Sequence, residues 1–282
     1  METDRKLIKY GAAPDVTFVF PNDGGALLMT EKSVLMKNSE VFQKQFASAI
    51  STDKDGKISI MDISYDTFNL IIQYFYNESF PINAENYQGI LYASKKYFIN
   101  TLITKVAQFL LNFITYINIV EHFEFLEKFE IGIVNAHMKG VIVKQPVQVI
   151  QRLTKSPSHM RILQMILESD VLYCSEFQLY LAIKNMMIEE NGNWKSVEEI
   201  EEKFKNDLGN LMYLIRFPNM TAEELIKCSV SPTLLTNKQK LDLIIWAQEK
   251  VFSESLLSFS TQIRINPVKC KYCGRYMSKE YL

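Results

Sequence analysis

The sequence predicts an α+β N-terminal domain, a small sheet edged by helices, followed by an all-α domain. Two observations carry this. Strand signals are confined to the first quarter of the chain, and from Asp62 onward the apolar residues recur at helical spacing behind capping residues. Val16, Phe18 and Phe20 alternate with Thr17 and Val19, as a half-buried strand requires. Asn22, Asp23, Gly24 and Gly25 then supply turn residues, and Ala26 to Met29 can return as the partner strand. A third strand is expected from Lys57 to Met61, entered through a turn from Asp53 to Gly56.

Ser64 is placed to cap a helix with Phe68, Ile71, Ile72 and Phe75 on one face. Asn83 and Asn100 are expected to cap the next two helices. Beyond about residue 117 helix follows helix: Ser175 heads one with Phe177, Tyr180 and Leu181 inward. Ser196 with Glu199, and Thr221 with Glu224, have capping-box spacing. Asn237 is expected to start a last helix whose apolar residues include Leu241, Ile244, Ile245 and Val251. The pattern divides into a first domain at residues 10–115, a helical domain at 116–260 and a basic tail at 261–282. No internal repeat at solenoid or propeller period is present, so a propeller behind the first domain is not expected.

Composition narrows the function. The 282 residues are 48% hydrophobic, enough for two ordinary cores, and the formal net charge of -1 calls for neither a nucleic-acid nor an anionic-membrane partner. Four cysteines (Cys174, Cys228, Cys270, Cys273) are too unevenly placed for a secreted disulfide framework. The first residues, from Met1 to Lys6, are charged, unlike a signal peptide, and the apolar stretch from Val106 to Val120 is interrupted by Gln108, Asn112 and Asn118. The expectation is a soluble intracellular protein, cytoplasmic or nuclear.

No catalytic constellation is legible. Glycine is scarce at 10 residues, no phosphate-binding loop or zinc-protease motif occurs, and Ser156 to His159 places a serine near a histidine without making a triad. The sharpest local motif is Cys270-x-x-Cys273 followed by Gly274. Two thiolates at this spacing can hold one side of a tetrahedral zinc, but a complete site needs ligands from a second chain or from Cys174, Cys228 or a distant histidine. The alternative is a basic tail without metal, in a protein with no cofactor. Phe42, Phe46 and Ile50 recur every four residues; Phe42 is assigned to the core, and Phe46 and Ile50 to a recognition surface.

Several short segments, taken in order, resemble a BTB (POZ) domain: Asp15-Val16, then Lys32 to Leu35, Ser39 to Phe42, Tyr65 to Phe68, Ile72 to Tyr76, and Ala93 with Tyr97, Ile99 and Leu102. The second half resembles the BACK domain that commonly follows, through Leu172 to Glu176, Leu179 to Ile183, and Arg216-Phe217-Pro218. The layout is similar to BTB-BACK proteins without kelch repeats. That resemblance implies a non-enzymatic adaptor that dimerises through its BTB domain. It also implies recruitment of an unknown protein substrate to a cullin-3 ubiquitin ligase, with Phe46, Ile50, Thr52 and Tyr76 at the cullin surface. The family's cullin-gripping triplet ends in glutamate, whereas the aligned triplet here, from Ile50 to Thr52, ends in threonine. A dimeric scaffold that never binds cullin therefore stays open, as does an assembly linked by zinc at Cys270 and Cys273. The resemblance also suggests that Arg216, a cation among apolar neighbours, is held in a structural ion pair by Glu176.

Overall fold

The computed structural model describes residues 7–47, 57–77, 79–189, 196–230, 232–251, 253–262, 268–269 and 276–277. The chain divides into two compact units, residues 1–113 and 114–282. The first is a small sheet with helices and the second is mostly helical, as the sequence predicts.

The first unit contains β1 (Leu7–Lys9), β2 (Val16–Phe20), β3 (Ala26–Thr30), α1 (Lys32–Asn38), α2 (Glu40–Ala47), β4 (Ile58–Ser59), α3 (Tyr65–Phe75), α4 (Tyr87–Lys96) and α5 (Asn100–Phe113). The strand order is β1-β3-β2-β4. β2 and β3 form the expected antiparallel hairpin, with Phe18 opposite Leu28. Gly24 and Gly25 both adopt positive φ in the turn, which is why glycine occupies these positions. The third strand is shorter than its sequence pattern, only Ile58–Ser59, and runs parallel to β2. On the inner face Val16, Phe18, Phe20, Ala26, Leu28 and Thr30 are buried. There the Phe18 ring lies 4.7 Å from that of Phe68 and 6.1 Å from that of Phe42. Burying each such ring contributes about 2 kcal/mol relative to exposing it.

Helix boundaries follow local chemistry. The Ser64 hydroxyl accepts the Thr67 N–H and starts α3, while the Asp23 carboxylate, reaching across from the hairpin turn, accepts the Tyr65 N–H. Asn83 caps the turn before α4, accepting the N–H groups of Glu85 and Asn86; Asn100 is the first residue inside α5.

The second unit contains α6 (Ile119–Phe129), α7 (Gly132–Lys144), α8 (Pro146–Ile150), α9 (Pro157–Glu168), α10 (Glu176–Glu189), α11 (Val197–Leu208), α12 (Ala222–Cys228) and α13 (Asn237–Glu249). Beyond them Val268–Lys269 pairs antiparallel with Tyr276–Met277, so strands are not confined to the first quarter. Ser175 heads α10 through the Gln178 N–H, and Thr221 with Glu224 forms the full reciprocal box. One helix face differs from expectation. In α10 Leu179, Tyr180, Ile183, Met186 and Met187 are buried, whereas Leu181 is exposed, because the helix packs against both α8 and α12 and presents its remaining side outward. Asn237 is the first residue of α13, as expected, with Thr236 as its cap; the helix ends at Glu249, before Val251, and Leu243 is buried while Leu241 and Val251 are exposed. Among the described residues, no helix is long and apolar enough to cross a membrane.

Phe42→Ala removes a ring that touches the sheet, α2 and the residue ending α4. It should cost about 3–5 kcal/mol, read as a lowered midpoint in urea unfolding with far-UV circular dichroism.

Candidate interaction sites

At the start of α2 the buried Ser39 hydroxyl donates to the Tyr97 carbonyl at 2.7 Å and accepts the Phe42 N–H, which fixes the helix against the end of α4. Three rings then stack in a row. Tyr97 lies 4.4 Å from Phe42 at 13°, and Phe42 lies 5.9 Å from Phe46 at 11°. The row begins in the core and ends at a half-exposed Phe46, under the Lys32 ammonium at 5.7 Å from its ring centre. The terminal ring is therefore stacked on Phe42, carries a cation over it and stays half-exposed. Burial holds the Tyr97 hydroxyl well above the ordinary tyrosine range, so it stays neutral.

Tyr76 is held differently. Its ring stacks on Tyr10 at 5.5 Å and its hydroxyl lies 3.1 Å from that of Thr30, contacts that tie the residue into its own unit. Phe46 and Tyr76 have no partner in common among these contacts. Ile50 and Thr52 lie outside the described residues.

Phe98 carries no signal in the sequence pattern. The Phe98 N–H donates to the Lys95 carbonyl and the Ile99 N–H to the Ser94 carbonyl, so α4 ends in a Schellman motif with Phe98 at the left-handed position, φ +52°. Glycine is usual there, because a side chain at positive φ costs about 1–2 kcal/mol. Phe98 is also 62% exposed, between the buried Tyr97 and Ile99. A strained backbone thus carries a large apolar ring into solvent. On α4 itself, Tyr92 donates its hydroxyl to the Asp62 carboxylate at 2.6 Å and Lys96 its ammonium at 2.7 Å. Burial works to raise the Asp62 carboxyl, but these two donors prevail and hold it below its ordinary range.

In the second unit Arg216 is 5% exposed and its guanidinium is satisfied by Asp170 at 2.6 Å and the Gln262 carbonyl at 3.1 Å. The carboxylate found against the guanidinium is thus that of Asp170, and the pairing with Glu176 needs correcting. Glu176 accepts the Arg216 main-chain N–H instead, at 3.2 Å, because the chain enters a 3-10 turn at Phe217–Asn219 and turns that N–H toward the start of α10. Phe217 is buried edge-on against Tyr180 and Phe259, and the Trp246 indole donates to the Pro218 carbonyl at 2.9 Å. A cleft of about 580 Å³ opens beside this turn, lined by Pro218, Met220, Trp246 and Lys250 among others. Among the described residues its lining includes no histidine, cysteine or carboxylate. Burial pushes the Cys228 thiol up to about 12, making it a poor nucleophile. Among the described residues no group of three or more His, Cys, Asp or Glu is placed to hold a metal. Cys270 and Cys273 lie outside them.

Residues 5–114 match the family model of the BTB/POZ domain. The N-terminal unit is a BTB/POZ domain. Relatives extend the likeness over most of the chain: BTB/POZ domain-containing protein 3 of Mus musculus is 27% identical over 268 residues, 95% of this chain and 50% of that protein. BTB/POZ domain-containing protein 6-B of Danio rerio is 24% identical over 270 residues, 95% of this chain and 55% of that protein. The human protein 3 is likewise 27% identical over 268 residues. The chain spans about half the length of the curated relatives it matches.

Two outcomes test this geometry. Phe98→Gly relieves the left-handed strain and should raise the stability of the BTB unit by about 1 kcal/mol in urea unfolding, an unusual sign for loss of an aromatic. Asp170→Ala leaves a buried guanidinium short of its carboxylate and should cost about 3 kcal/mol, measured the same way on the helical unit.

Proposed function

We propose that this chain is a protein-interaction adaptor that recruits a substrate to a cullin-3 ubiquitin ligase. In this reading the BTB unit binds the cullin-3 N-terminal domain and also dimerises, so that two substrate arms act together. The helical unit is a BACK domain that sets the distance between substrate and ubiquitin donor, and catalysis belongs to other subunits. The protein acts inside the cell.

The observation that carries the reading is the stacked row from Tyr97 through Phe42 to Phe46. A half-exposed aromatic anchor rigidified from below is what a helical partner needs for a hot spot, because little side-chain entropy remains to be lost on docking. The exposed, strained Phe98 supports an interaction surface on the same unit. The second reading, a dimeric scaffold that never binds cullin, is favoured by Thr52, which stands where the resembled family carries glutamate.

Calorimetry of the purified chain against a cullin-3 N-terminal domain, with light scattering on the same samples, decides between them. The adaptor reading expects binding near micromolar or tighter and a dimer mass. Phe46→Asp should then weaken binding about 30-fold, about 2 kcal/mol, without changing that mass. A folded dimer that gives no heat of binding would remove the cullin reading and leave the scaffold.

A further inference from the structure

The three residues of β1 pair with β3 in parallel, Leu7 beside Leu27, Ile8 beside Leu28 and Lys9 beside Met29. Because β2 lies on the other side of β3, the six residues 10–15 must cross the end of β3 to connect β1 to β2. Two strand spacings are about 10 Å and six extended residues reach about 20 Å, so the crossing is easily made within one chain. The crossing is also tied down along its length. The Tyr10 N–H donates to the Met29 carbonyl, the Ala13 N–H to the Glu31 carboxylate, the Asp15 N–H to the Thr30 carbonyl, and the Lys32 N–H to the Asp15 carboxylate.

Side chains lock the same segment. Tyr10 stacks on Tyr76 and its hydroxyl donates to the Asn69 side-chain carbonyl at 2.7 Å, joining β1 to α3. Gly11 has φ +84°, and a Cβ there would meet the Glu31 carboxylate, so no other residue fits without displacing that carboxylate. Bonded at Tyr10, Ala13 and Asp15, the crossing is held to its own chain along its length, and β1 could reach elsewhere only by breaking these bonds.

We propose that β1 is a strap latched onto its own chain, with Tyr10 and Gly11 as the latch, and that it closes the edge of β3 against strand addition by any other chain. Among the described residues the outer edge is then β1 itself, three residues long and carrying Lys9, which disfavours pairing with a further strand. Whatever dimer the BTB unit forms is then assembled without exchange of β1. This inference does not depend on which partner the unit binds.

The test places Leu7→Cys and Leu27→Cys together in a chain that also carries Cys270→Ser and Cys273→Ser. Neighbouring strand positions have Cα separations that a disulfide can span. Mild oxidation should give a disulfide within one chain, running at monomer mass on a denaturing non-reducing gel, with the two positions joined in one cross-linked peptide. Covalent dimers joined from position 7 of one chain to position 27 of another would overturn the proposal, as would failure to cross-link in a protein of unchanged circular dichroism. Tyr10→Ala and Gly11→Ala should each speed hydrogen exchange of the amides of residues 26–30 roughly tenfold, while the core amides of α3 exchange as before. Exchange at residues 26–30 that ignores both substitutions would overturn the latch.

Discussion

The first unit is organised around the buried ring of Phe42. It touches Phe18 from the sheet, Tyr97 from the end of α4 and Phe46 one turn further along its own helix. Phe68 closes the group, meeting both Phe18 and Tyr97. Sheet, α2, α3 and α4 therefore share one set of aromatic contacts, and no element can shift without opening a void beside another. The recognition surface depends on the same packing, since Phe46 is oriented by the ring beneath it.

In the helical unit the comparable centre is polar. The guanidinium of Arg216 meets Asp170 and Gln262, its main-chain N–H meets Glu176, and the Pro218 carbonyl two residues on meets Trp246. A buried cation is costly unless fully bonded, and the arrangement spreads its bonds over segments distant in sequence. This residue is a fastener, and the half-exposed carboxylate of Asp170 keeps part of the pair in contact with water.

Much of this was legible from residue pattern alone. Strict alternation located the hairpin, and Ser64, Ser175 and Thr221 marked helix starts because a side-chain oxygen before an apolar run has little other use there. The isolated arginine among apolar neighbours announced a buried pair. Its partner could not be read, because Asp170 and Glu176 are both acidic and near in sequence, and only the backbone direction at Phe217 decides which oxygen meets which nitrogen. Phe98 was invisible for a related reason: a helix C-terminus is recognised by glycine, and here the left-handed position holds phenylalanine. The face of α10 was misjudged at Leu181, because the helix packs on two sides and periodicity then reports an average of two surfaces.

The indole of Trp246, bonded to Pro218 beside the Arg216 turn, has a practical consequence. The chain's two tryptophans, Trp194 and Trp246, both fall after residue 113, so the BTB unit contains none. Tryptophan emission is therefore blind to the first unit and reports on the second alone, whereas far-UV circular dichroism sees the helices of both. Any separation between the two signals during unfolding measures directly how far the halves behave as one cooperative body.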